Sequence, residues 1–131
     1  MTAVDTNVLV RLLTGDDVKQ LTAARSLFSC EDIWIAKTVL LETAWVLESL
    51  YGFDKSSICD AFTMLLGLKN VRAEDEPAIA AALALTVQGI DFADAIHLSS
   101  RPPGTAFASF DKSFVRRAAR AGALQVTNPL S

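Results

Sequence analysis

At 131 residues, 51% hydrophobic and 21% charged, the chain has the length of one domain and is too apolar to be disordered. Its formal net charge is −3 and its pI about 5.0, so it lacks the overall basic footprint usual in nucleic-acid binders. The longest uncharged stretch, Pro77 to Ile90, is too short to span a bilayer, and no basic-then-apolar leader opens the chain, so a cytoplasmic location is the expectation.

A short buried strand at Thr2–Val4 leads into a helix from about Thr6 to Leu13. Asp16 or Asp17 caps a second helix running to about Phe28, with Val18, Leu21, Ala24, Leu27 and Phe28 at helical spacing. A brief strand, Ile33–Ile35, precedes a strongly apolar helix that opens at Thr38, runs through Leu50 and stops at Gly52. Asp54 or Ser56 caps the next helix, which places Ile58, Phe62, Leu65 and Leu66 inside. Val71 marks another short strand. Asp75-Glu76-Pro77 then starts an alanine-rich helix, because acids suit the first turn and proline its first positions. That helix ends at Gln88-Gly89. Asp91 caps a helix through about Ser100, which Pro102-Pro103-Gly104 breaks. Thr105–Ser109 reads as a strand, Asp111–Ala121 as a helix ended by Gly122, and Leu124–Val126 as the last strand.

Short apolar strands alternating with helices predict an α/β fold, with a parallel sheet covered by helices on both faces, as a single domain over residues 1–131. In such sheets, sites form beyond the carboxyl ends of the strands. Asp5 and Asp111 directly follow predicted strands, and Glu42 and Asp94 lie on helices expected to face the same crevice.

These four acids sit where an apolar segment ends or a helix begins. Capping alone accounts for Asp5, Asp91 or Asp111 taken singly. Glu42 is different, because Val39, Leu40, Leu41, Ala44, Trp45 and Val46 leave it no obvious solvated face. Two carboxylates about 4 Å apart repel by roughly 4 kcal/mol at an effective dielectric of about 20. A divalent cation reverses the sign of that energy. Mg²⁺ or Mn²⁺ suits hard oxygen ligands, and it allows phosphodiester hydrolysis by water without a His, Cys or Lys nucleophile. That chemistry fits a chain with a single histidine.

Other residues bear two readings. Lys112, Arg116, Arg117 and Arg120 cluster beside Asp111, either as an ordinary solvated face or as a rim guiding phosphate. His97, one turn after Asp94, reads as a satisfied structural histidine rather than a ligand. Trp34 and Trp45 read as core or dimer contacts rather than stacking platforms. Cys30 and Cys59 read as reduced, mostly buried thiols, with no support for a structural zinc site.

Four segments, in order, resemble the PIN-domain family of metal-dependent nucleases, and most closely its small VapC-type toxins. They are Val4-Asp5-Thr6-Asn7-Val8-Leu9, Leu41-Glu42-Thr43, Asp91-Phe92-Ala93-Asp94-Ala95-Ile96-His97 and Ala108-Ser109-Phe110-Asp111-Lys112-Ser113-Phe114. The resemblance runs from Thr2 to about Val126. It implies a three-layer α/β/α sandwich with a short central parallel sheet, a Mg²⁺ or Mn²⁺ site, and endoribonuclease activity on RNA. It also implies a homodimer and a cognate antitoxin protein that silences the site. By the same resemblance Asp5 and Asp94 are the principal metal ligands, with Glu42 and Asp111 completing the catalytic and metal-binding quartet. Thr6, Asn7 and Ser109 supply supporting hydrogen bonds, and Asp91 serves as helix cap or outer support. Arg11 reads as a phosphate or antitoxin contact or as a surface salt bridge, and Lys112 and Arg116 as substrate contacts. A second acid often follows the fourth motif acid in this family. Here Lys112 and Ser113 stand there, so the number of metals stays open.

Two rivals fit less well. A phosphoryl-transfer enzyme with an aspartyl nucleophile wants a second Asp two residues after the first, where Asn7 stands. A receiver domain needs an acidic pair after its first strand, and Asp5 stands alone. The alternatives that remain are a catalytically weak PIN-like module that docks RNA or a partner, and an RNA-processing nuclease that is not a toxin.

Overall fold

A computed structural model describes residues 1–131. Two compact units make up the chain, Met1–Glu76 and Pro77–Ser131, each with its own parallel strands. The fold is α/β, as the alternation of apolar strands and helices predicted.

In the first unit, β1 (Thr2–Ala3), β2 (Ile33–Ile35) and β3 (Val71–Ala73) pair in that order, with Thr2 opposite Ile33 and Ile33 opposite Val71. Parallel neighbours require a long crossover. Helices α1 (Thr6–Thr14) and α2 (Val18–Cys30) make the first, α3 (Lys37–Tyr51) and α4 (Lys55–Leu66) the second. Helix α1 packs on α2 and α3, α3 on α4, and α4 on β3. The core is Leu9, Ile33, Ile35, Leu40, Leu47, Phe62 and Val71, all buried.

The caps explain the helix boundaries. Asp17, not Asp16, caps α2 by accepting from the Gln20 N–H, and Asp54 caps α4 by accepting from Ser57. The Ser57 hydrogen bonds hold the Asp54 carboxyl below its usual range. Asp16 instead meets Arg11 at 2.8 Å and accepts from the Tyr51 hydroxyl at 2.5 Å. That hydroxyl first, then Arg11 and Thr14, lowers the Asp16 pKa. Helix α3 begins one residue before Thr38, at Lys37, although Ala36 has no side chain to cap it. Glu74, just past β3, does so by accepting from the Lys37 N–H at 3.0 Å, and Lys37 Nζ pairs with Asp75 at 3.1 Å. Gly52 closes the helix at φ 71°, a left-handed conformation that suits glycine.

The second unit holds α5 from Pro77 on (the helix spans Glu76–Val87), α6 (Phe92–Ser99), β4 (Phe107–Ala108), α7 (Lys112–Arg120) and β5 (Val126–Thr127). Strands β4 and β5 pair in parallel, Phe107 opposite Val126, and α7 packs on β5. Phe107 meets Phe114 edge-on, with ring centroids 5.7 Å apart. Ile79, Ala82, Ile90, Ala95, Leu98 and Ala118 are buried.

Several expectations need correction. The strands are shorter than Thr2–Val4, Thr105–Ser109 and Leu124–Val126, although Val4 and Ser109 still donate to Trp34 and Thr127. Cys59 is buried, and burial raises its thiol pKa, but Cys30 is exposed at the end of α2. Trp45 is 64% exposed and is no core residue. Glu42 is exposed too, because on α3 it shares a face with Thr38, Trp45 and Ser49 while Leu40, Ala44 and Leu47 turn inward. His97, expected to be a satisfied structural histidine, is exposed as well.

Asn70 ties the end of α2 to β3, since its Nδ2 donates to Phe28 O at 2.6 Å and to Glu31 O at 2.7 Å. Asn70→Ala strips both carbonyls of this donor and is expected to cost about 1–3 kcal/mol. A urea unfolding midpoint equal to that of the wild type would show that the tie contributes nothing.

Candidate functional site

In the first unit the acidic positions gather at the carboxyl end of the sheet. Asp5 follows β1 and caps α1, its Oδ1 accepting from the Val8 N–H at 3.2 Å. Thr6, the first residue of α1, is buried, and its hydroxyl donates to Glu42 Oε1 on α3. The exposed carboxylate of Glu42 is therefore held at one oxygen. Asn7 is exposed beside them. Arg11 is engaged within its own unit, donating to Asp16, to Gln20 at 2.6 Å and to Tyr51 at 3.2 Å. Of its two readings, the surface salt bridge is the one present.

In the second unit Asp91, Asp94 and Asp111 line a small cavity of about 50 Å³ together with Ile90, Ser113, Phe114 and Arg117. Asp94, in the first turn of α6, is half-buried. Burial chiefly, then the negative charges of Asp91 and Asp111, raises its pKa above the ordinary value, while His97 opposes the shift. Asp111 caps α7 by accepting from the Phe114 N–H at 3.0 Å, and its own N–H donates to Ser109 Oγ at 3.1 Å. Asp91 occupies the N-cap position of α6 without a side-chain capping bond, so capping does not explain it.

Lys112, Arg116 and Arg117 are all exposed on α7, and of the basic cluster Arg117 is the one that lines the small cavity. The signal was present in the sequence. Ser113 and Arg117 are four apart and Phe114 and Arg117 three apart, so they share a face that begins beside the Asp111 cap.

No three or more His, Cys, Asp or Glu side chains converge closely enough to cage a metal by themselves. The oxygen-only donors and the mutual repulsion at Asp94 nevertheless fit a hard divalent cation. Mg²⁺ typically takes one or two carboxylates and keeps several waters, rather than filling a protein cage. Arg117 adds a positive charge facing the same space, suited to a phosphate oxygen.

Residues 2–120 match the family model of the PIN domain. No curated protein matches the chain.

The raised Asp94 pKa carries a sign. The folded state favours the protonated acid, so its contribution to stability is full below the ordinary value of 3.8 and is lost as pH rises through the raised value. Asp94→Asn, which mimics the neutral form, is expected to raise Tm at neutral pH, with the gain shrinking as pH falls toward that ordinary value. A gain of equal size at every pH would refute the electrostatic origin.

Proposed function

The chain belongs to the PIN domain family, and from that premise we propose that it is a Mg²⁺- or Mn²⁺-dependent endoribonuclease, the VapC-like toxin of a type II toxin–antitoxin pair. PIN domains are generally nucleases and typically bind divalent metals. The observation that carries the finer reading is the desolvated Asp94 carboxylate, repelled by Asp91 and Asp111 in a cavity that Arg117 also lines. Such a group binds cations most strongly where water screens least. The acidic set is Asp5, Glu42, Asp94 and Asp111, with Asp5 and Asp94 as principal ligands. These carboxylates would hold the cation, which when bound would supply positive charge for phosphodiester hydrolysis by water.

The chain's own residues do the positioning. Thr6 fixes the carboxylate of Glu42, Ser109 fixes the turn that presents Asp111, and Asn7 adds an exposed amide beside Asp5. Arg117 is placed to bind a phosphate oxygen of the RNA, with Lys112 and Arg116 farther out along α7. A cytoplasmic homodimer and a silencing antitoxin complete the proposal. Exposed Trp45, Leu50 and Met64 support it by offering apolar surface to a partner. No helix is long and apolar enough to cross a membrane.

Purified chain is expected to cut total RNA with Mg²⁺ or Mn²⁺, and both EDTA and Asp94→Asn should abolish cutting. Thr6→Val, which leaves Glu42 untethered, should lower activity or metal affinity by about 10–100-fold. Cutting that survives Asp94→Asn would overturn the site assignment. Intact RNA from a folded, metal-supplied wild type, with RNA still bound, would replace the nuclease by a docking module.

A further inference from the structure

Four large apolar side chains of the second unit stand exposed, Val87, Phe110, Leu124 and Leu130, and Phe110 is the aromatic one. Its ring is 67% exposed, whereas Phe92 and Phe114 are buried and Phe107 packs edge-on against Phe114. A single apolar residue at a surface is ordinary. Three features set this one apart.

Phe110 directly precedes Asp111, which lines the acidic cavity together with Asp91 and Asp94. The backbone that carries it is fixed on both sides. The Ser109 N–H donates to Thr127 O at 2.9 Å, and the Asp111 N–H donates to Ser109 Oγ at 3.1 Å, closing a turn with Phe110 at its centre. A ring presented from a fixed turn loses little freedom when something covers it. Finally, α7 begins just beyond and carries Lys112, Arg116, Arg117 and Arg120 without an acid. All four are exposed.

An exposed aromatic ring beside a row of cations is the pattern of single-strand recognition, in which cations hold the backbone and rings take the bases. The chain neighbours of the ring, Ser109, Asp111 and Lys112, are polar or charged, whereas the core of a protein interface is depleted of charge. The surroundings therefore favour a nucleobase over an apolar protein surface.

We propose that Phe110 is the platform on which one unpaired base of the RNA stacks while a neighbouring phosphate lies at the acidic cavity. The inference rests on the reading of that cavity as the RNA site, and it adds a residue that selects among strands. In a duplex the base faces are covered by their neighbours, while an unpaired nucleotide can lay its base on the ring. Every base has a π-face, so the platform tolerates any sequence.

The test measures binding rather than cutting, on the full chain carrying Asp94→Asn with Mg²⁺, so that the strand stays whole. The probes are a short fluorescein-labelled oligoribonucleotide and the same strand annealed to its complement, read by anisotropy. Phe110→Ala is expected to weaken binding of the single strand by about five- to a hundred-fold and to leave the duplex unchanged. Phe110→Leu, which stays apolar but lacks a π-face, should resemble the alanine variant, and Phe110→Trp should bind at least as tightly as phenylalanine. The ring is uncharged, so the slope of log K against log salt should not move across the set. A variant that fails to fold would lose duplex binding too, and the remaining substitutions then carry the comparison. Single-strand affinity indifferent to Phe110→Ala would leave the ring to a protein partner and overturn the proposal. Full affinity in Phe110→Leu, or an equal loss on both probes in a folded variant, would overturn it as well. A single strand that binds none of these chains would sink the RNA reading of the cavity itself, whereas binding that ignores Phe110 sinks this inference alone.

Discussion

Three residues, Ile33 to Ile35, are hydrogen-bonded to strands on both sides, and the first unit is arranged around that double pairing. Because all three strands run parallel, their carboxyl ends lie along one edge, and whatever follows each strand emerges there. Asp5 and Thr6 follow β1, α3 follows β2, and Glu74 follows β3. A hydroxyl from the first connection thereby meets a carboxylate from the second, thirty-six residues on, without a loop built for the purpose.

The acids are held in three physically distinct ways. Asp5 and Asp111 spend one oxygen on a helix N-terminus, which fixes the carboxylate and sets it in a favourable dipole. Glu42 stands in solvent but is anchored through a buried hydroxyl. Asp94 alone is kept partly out of water, and that burial, then the like charges of Asp91 and Asp111, raises its pKa. Hydrogen bonds thus fix Asp5, Glu42 and Asp111 each within its own unit, and desolvation among like charges sets Asp94 apart.

Much of this was legible in the residues. Ile33–Ile35 and the Gly52 stop follow from local rules that depend on neighbours in sequence, and the same rules narrowed two caps to Asp16 or Asp17 and to Asp54 or Ser56. What failed depended on partners far along the chain or on the pitch of a helix. The start of α3 is set by Glu74, which no scan around Ala36 reveals. Glu42 was read as enclosed because its sequence neighbours are apolar. Around a helix, adjacent residues point in different directions, and its true neighbours, Thr38 and Trp45, are exposed. The acids themselves were readable one by one. The exposure of Phe110 was not, since it lies between a strand and a helix, where no period says which way a ring turns.

The Glu74 contact also bears on the order of events in folding. The helix that carries Glu42 borrows the closure of its first turn from a carboxylate thirty-seven residues downstream, on the far side of α4 and β3. That turn has no local substitute, because Ala36 offers no acceptor side chain. The amino end of α3 is therefore complete only after β3 has docked. An excised α3 peptide would lack this cap altogether.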